Sequence, residues 1–96
     1  MIKHSVLFNF REDITPTEQH DFFKSTNNLS LIVGVKDLEI LRQFNAKNTF
    51  QYSISMAFDT LEAYHRYNDH AEHQSFIQKQ WLPLVKDFLE IDLKAI

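Results

Sequence analysis

The sequence predicts one α+β domain with the element order β-α-β-β-α-β. Three observations carry that prediction. Residues 2–10 and 51–58 alternate between apolar and other side chains with a period of two, the pattern of strands with one buried face. Thr15-Pro16-Thr17-Glu18 has the form of a capped helix start, and a second helical region follows residue 59. A further run, Val85 to Leu93, closes the order as a strand.

In the first strand, Ile2, His4, Val6, Phe8 and Phe10 share one face, while Lys3, Ser5, Leu7 and Asn9 share the other. His4 therefore lies on the apolar face, either as a core histidine paired with a neighbour or as a pocket residue. Arg11 to Thr15 is a polar turn. Thr15 is the N-cap, Pro16 suits the first helical turn, and Glu18 completes a capping box. This helix runs to about Leu29, buries Phe22 or Phe23 together with Leu29, and leaves His20 solvated. Leu31 to Val33 is a connection and Gly34 a turn. Val35 to Arg42 is the second strand, with Leu38 and Ile40 on one side. Phe44 to Phe50 is an Asn-containing loop.

Gln51 to Phe58 shows the cleanest alternation: Tyr52, Ile54, Met56 and Phe58 against Gln51, Ser53, Ser55 and Ala57. Asp59 or Thr60 caps a helix that ends near Tyr67, broken by Asn68 and Asp69. A second helical piece spans about Ala71 to Trp81, with His73, Phe76, Ile77, Gln80 and Trp81 on one side. Pro83 is expected to end it. In the fourth strand, Leu89, Ile91 and Leu93 face one way and Phe88 and Asp92 the other.

This order is the ferredoxin-like split βαβ arrangement, with both helices on one face of a four-stranded antiparallel sheet. The other sheet face is left bare, exposing Leu7 and other strand residues. Burying a few hundred Å² of apolar area is worth several kcal/mol at roughly 25 cal/mol per Å², before association costs. A homodimer closing over the open sheet face is therefore expected.

Composition narrows the function. Ninety-six residues make one domain, spanning 1–96. With no cysteine, thiol nucleophiles, disulfides and zinc–thiolate sites are excluded. The net charge is −3 with both signs scattered, and no basic stripe suggests nucleic acid as a partner. One glycine, Gly34, cannot make a phosphate-cradling loop. No run approaches the roughly 18 apolar residues of a membrane span, and MIKHSVLFNFRED lacks the features of a secretory signal. A soluble, cytoplasmic protein that needs no cofactor and engages no membrane is expected.

The stretch Tyr64 to Val85 concentrates the chemistry. It holds three of five histidines, two of three tyrosines and the only tryptophan. Here the chain resembles a known family. The opening IKHSVLFNFRED, with Lys3-His4, resembles the first strand of stress-responsive dimeric α/β-barrel (Dabb) domains. YNDHAEHQSF, from Tyr67 to Phe76, resembles the helical signature of that family. Trp81, Pro83, Val85, Asp87, Leu89 and Asp92 fit its closing pattern. The resemblance spans essentially the whole chain and implies a homodimer whose two sheets meet as a barrel. Some members of the family are described only as stress-induced. One branch cyclises a linear tetraketide-CoA to a resorcylic acid by intramolecular aldol condensation. Its tyrosine, helical histidine, first-strand histidine and last-strand aspartate match Tyr67, His73, His4 and Asp92 here.

Those residue types suit the reaction. Aldol closure needs a base for an acidic C–H and a donor for the developing oxyanion. His73 is the candidate base, because imidazole titrates near neutrality. Tyr67 is the candidate donor. Asp92 is expected to orient His4 or His73 and fix its tautomer, and His70 is assigned to capping or structure. Phe8, Phe23, Ile77 and Trp81 are candidates to line a pocket or the core. His70 and His73, with His4 near, also raise the question of a metal, but no HExxH pattern accompanies them and none is expected. Two functions compete: a cofactor-independent cyclase or isomerase acting on an apolar poly-oxo substrate, and a non-catalytic stress-responsive or small-ligand-binding homodimer. A cofactor-free oxygenase is a third, by fold analogy alone. The non-catalytic reading expects Phe and Trp side chains to fill any cavity beside His73.

Overall fold

A computed structural model describes residues 1–96. The first element is β1 (Ile2–Phe10), one of the two inner strands of the sheet. It is followed by α1 (Pro16–Asn28), β2 (Lys36–Arg42), β3 (Tyr52–Phe58), α2 (Leu61–Asp69), α3 (Ala71–Phe76) and β4 (Val85–Lys94). The sheet order is β2-β3-β1-β4 with every neighbouring pair antiparallel, which is the ferredoxin-like topology. No helix is long and apolar enough to cross a membrane.

Period-two alternation sorts the side chains as expected. Ile2, His4, Phe8 and Phe10 are buried under the helices, as are Ile54, Met56 and Phe58 of β3. Phe8, Phe22 and Phe58 lose all exposure, and Trp81 and Phe76 pack with Phe22 in one aromatic core. Phe22, not Phe23, is the deeply buried member of its pair; Phe23 packs at the edge of the core. On the opposite sheet face, Leu89 and Leu93 are 48% and 58% exposed. The molecule is only 17 Å thick along its shortest axis, one sheet plus one helical layer.

Local signals explain the ends of the elements. Glu18 N–H donates to Thr15 Oγ1 at 3.1 Å while Thr15 N–H donates to Glu18 Oε1 at 2.9 Å, a complete capping box. Thr60, not Asp59, caps α2 by accepting from Ala63 N–H. Gly34 turns the chain at φ +98°, and a Cβ there would come within 3.3 Å of Ala63 Cβ. β2 begins at Lys36, one residue later than expected, and its register shifts between Lys36 and Glu39, where Asp37 adopts φ +53°.

Two helical expectations are corrected. α2 does not stop near Tyr67 but continues through Asn68 and Asp69. The break falls at His70, which is extended (ψ 139°) and whose Nδ1 accepts from Glu72 N–H at 3.0 Å. His70 is thus the cap of α3, as the assignment to capping anticipated. Nor does Pro83 end the helix. After α3 the chain makes a five-residue π turn, Ile77–Trp81, and a final turn, Leu82–Leu84. Pro83 is the second residue of that last turn. The first extended residue is Val85.

Candidate functional site

Register brings the first pair of site residues together. His4 on β1 lies opposite Asp92 on β4 and Met56 on β3. Partners directly opposite project from the same sheet face, here the one beneath the helices. The His4 ring is buried, and its Nδ1–H donates to Asp92 Oδ1 at 2.6 Å. The orienting carboxylate therefore serves His4 and not His73, resolving an alternative that sequence spacing leaves open.

The second pair comes from the helices. Tyr67, in the second turn of α2, is buried, and its ring lies 4.4 Å from that of His73. Burial is the main force holding the Tyr67 phenol far above its ordinary range, so the group remains an O–H donor. His73 Nδ1–H donates to the Asn68 carbonyl at 3.1 Å. A carbonyl can only accept, so this contact fixes the tautomer and leaves Nε2 with its lone pair free. Desolvation lowers the His73 pKa, partly offset by the Asn68 carbonyl, so the ring is neutral at neutral pH. Gln74 Nε2 donates to the same carbonyl at 2.7 Å. The continuation of α2 through Asn68 is what supplies this acceptor.

His4 connects the two pairs. Its ring lies 6.2 Å from Tyr67 and 5.2 Å from Tyr64. The Tyr64 hydroxyl is 3.4 Å from His4 Nδ1. Burial first, and then the Asp92 and Glu90 carboxylates, push the Tyr64 phenol up to about 12.

A cavity of 330 Å³ opens between the sheet and the helices. His4, Tyr67 and His73 all line it; Asp92 stands behind His4. The rest of the wall is mostly apolar: Val6, Ile54 and Met56 from the sheet, and Phe76, Ile77 and Trp81 from the helical layer. Phe8 and Phe23 belong to the aromatic core instead. The aromatic residues thus leave open the space that a filled core would have removed. Chemically, the arrangement offers a neutral imidazole base, a phenol donor and a carboxylate-oriented second imidazole around one apolar space.

Three residues of this region escape a reading of the sequence. Tyr64 lies sixty residues from its contact, His4. Asn68 contributes through its backbone carbonyl. Glu90 lines the cavity, two residues from both Phe88 and Asp92 on the face they share, and this spacing was the available signal. His70 and His73, the pair considered for a metal, serve separate roles. The ligand atoms of His4, Glu90 and Asp92 lie within 4.8 Å of one another, but His4 Nδ1 there is committed to its Asp92 hydrogen bond.

Known proteins show the same architecture. Over 79 residues, 78% of either chain, this one is 27% identical to olivetolic acid cyclase of Cannabis sativa. The crystal structure of a Dabb-family protein with a ferredoxin-like fold from Mesorhizobium loti superposes with a TM-score of 0.92 at 38% identity, covering 99% of this chain and 96% of that one. A dimeric ferredoxin-like protein from Bacteroides fragilis shares the fold at 23% identity with a TM-score of 0.77, covering 98% and 95% of the two chains. Residues 2–95 match the sequence profile of the stress-responsive A/B barrel domain, Dabb, and the chain belongs to that family.

Proposed function

We propose that this protein is a cofactor-independent lyase-type cyclase that closes an apolar poly-oxo substrate by an aldol reaction. The observation that carries this reading is the convergence of His73, Tyr67 and the His4–Asp92 pair on one apolar cavity. The similarity to olivetolic acid cyclase supports the same class. His73 Nε2 removes a proton from the carbon between two carbonyls. The enolate carbon attacks a more distant carbonyl of the same chain, Tyr67 O–H stabilises the oxygen on which charge develops, and the imidazolium returns its proton to the resulting alkoxide. Asp92 is a positioning residue that holds His4 at the wall. A neutral, desolvated imidazole and a phenol that stays protonated suit these roles at neutral pH.

The test is turnover of a linear poly-oxo acyl thioester, followed by mass spectrometry. His73→Ala should lower kcat by roughly 100-fold or more, the usual contribution of a positioned base, with the melting temperature nearly unchanged. Undiminished turnover would remove His73 from the mechanism.

The active form we propose is a homodimer formed through the open sheet face. A folded monomer of 11.4 kDa exposes about 5,800 Å² by the usual scaling. This chain exposes 6571 Å². The excess, on the order of 800 Å², is one partner's share of a standard interface. Leu41, Leu89 and Leu93 are the exposed apolar residues on that face.

A further inference from the structure

Within the cavity, the one carboxylate has no hydrogen-bond partner. The His4 Nδ1 is taken by Asp92, and the His73 Nδ1 by Asn68. The Glu90 carboxylate, by contrast, is engaged only by a 3.8 Å approach of Oε2 to His4 Nδ1, beyond hydrogen-bonding distance. It stands opposite Val6 on the sheet, one step along the strand from the His4–Asp92 pair. Its side chain is 49% exposed, so it sits at the mouth of the cavity. It is also the only carboxylate among the lining residues, in a wall otherwise dominated by apolar groups.

We propose that Glu90 determines ligand specificity: it selects compounds with an apolar body and a hydrogen-bond donor, such as a phenol hydroxyl, and rejects compounds with a carboxylate at that end. This inference rests on the cavity being a ligand site, and it adds which end of the ligand faces the β4 wall. A free carboxylate offers acceptors only, so a hydroxyl satisfies it while a hydrocarbon leaves it unpaired. Asp92 lies two residues away on the same face, so a ligand carboxylate would meet two like charges beside His4. The strand places Glu90 on the face that lines the cavity.

Trp81 is the only tryptophan and lines the cavity, so its fluorescence reports occupancy directly. Three matched probes isolate the end group: 4-butylphenol, butylbenzene and 4-butylbenzoate, titrated into the wild-type protein, Glu90→Gln and Glu90→Leu. The wild type should bind the phenol roughly 10-fold or more tightly than the hydrocarbon, the value of a hydrogen bond to a charged acceptor. The benzoate should bind weakest. Glu90→Gln should relieve the rejection of benzoate, and Glu90→Leu should abolish the preference for phenol over butylbenzene. Thermal melts of both variants confirm folding. An affinity order that is flat in the wild type, or unchanged by both substitutions, overturns the role of Glu90 while leaving the cavity a ligand site. Failure of all three probes to bind any of the proteins overturns both readings. An order that changes only on adding zinc assigns Glu90 to a metal site and likewise overturns the inference.

Discussion

The two faces of the sheet are built from alternate residues of the same four strands, yet they are chemically different. On the covered face, Phe8 and Phe58 are fully buried, and the apolar packing opens into the cavity that His4, Tyr67 and His73 line. On the open face, Ser5 and Ser55 hydrogen-bond across β1 and β3 at 2.9 Å, and leucines of β2 and β4 stand exposed around them. The covered face is specified by large aromatic residues that must interdigitate. The open face is flat and small at its centre, which suits a second sheet laid against it. One face therefore carries the folding core and the proposed site, and the other is the face we propose for assembly.

The contrast predicts separable effects. The largest belongs to the covered face: Phe8→Ala should cost about 3–5 kcal/mol, the usual penalty for removing a buried phenylalanine. In a 96-residue domain that is much of the total stability, and chemical denaturation would measure it. A cost below 1 kcal/mol would mean that the two faces are less distinct than their burial implies. Next, Leu89→Arg on the open face should leave the secondary structure intact but shift sedimentation from dimer to monomer at micromolar concentration. A dimer that survives this change would place the interface elsewhere.

The smallest effect is one of pH. His73 has a lowered folded-state pKa because burial disfavours its charged form. Between that value and the unfolded value near 6.5, the unfolded chain binds more protons. The His73 contribution to stability is therefore complete above about pH 6.5 and is lost as pH falls toward the folded pKa. Urea midpoints at pH 7.5 and 5 should separate more for the wild type than for His73→Gln. Equal separations would mean that His73 is as well solvated as in the unfolded chain.

The strands were legible because the covered face demands a strict period of two, and β1 and β3 obey it throughout. The start of α1 was legible because both halves of its capping box lie within four residues. The helix ends were harder to read. Asn68 and Asp69 disfavour helix interiors, but the extended His70 supplies a cap just beyond them, so α2 can carry both to its end. Pro83 looks like a terminator, yet it is the second residue of a last turn, Leu82–Leu84, and the chain becomes extended only at Val85. Tyr67, His73, His4 and Asp92 were legible as types in a family pattern. Which histidine Asp92 serves depends on strand register, and Glu90 was passed over because a lone acid within a strand resembles a solvated face.

The π turn at Ile77–Trp81 has a consequence for how this chain can vary. A π turn accommodates one residue more than an α-helical turn of the same rise, and each helical residue advances the side chains by about 100°. The π turn ends on Trp81 and Leu82 follows it, and both line the cavity wall. Losing a single residue from this segment would rotate the tryptophan away from the cavity without touching a strand. Gaining or losing one codon here is therefore a route by which the same sheet, with the same histidines, could acquire a differently shaped chamber.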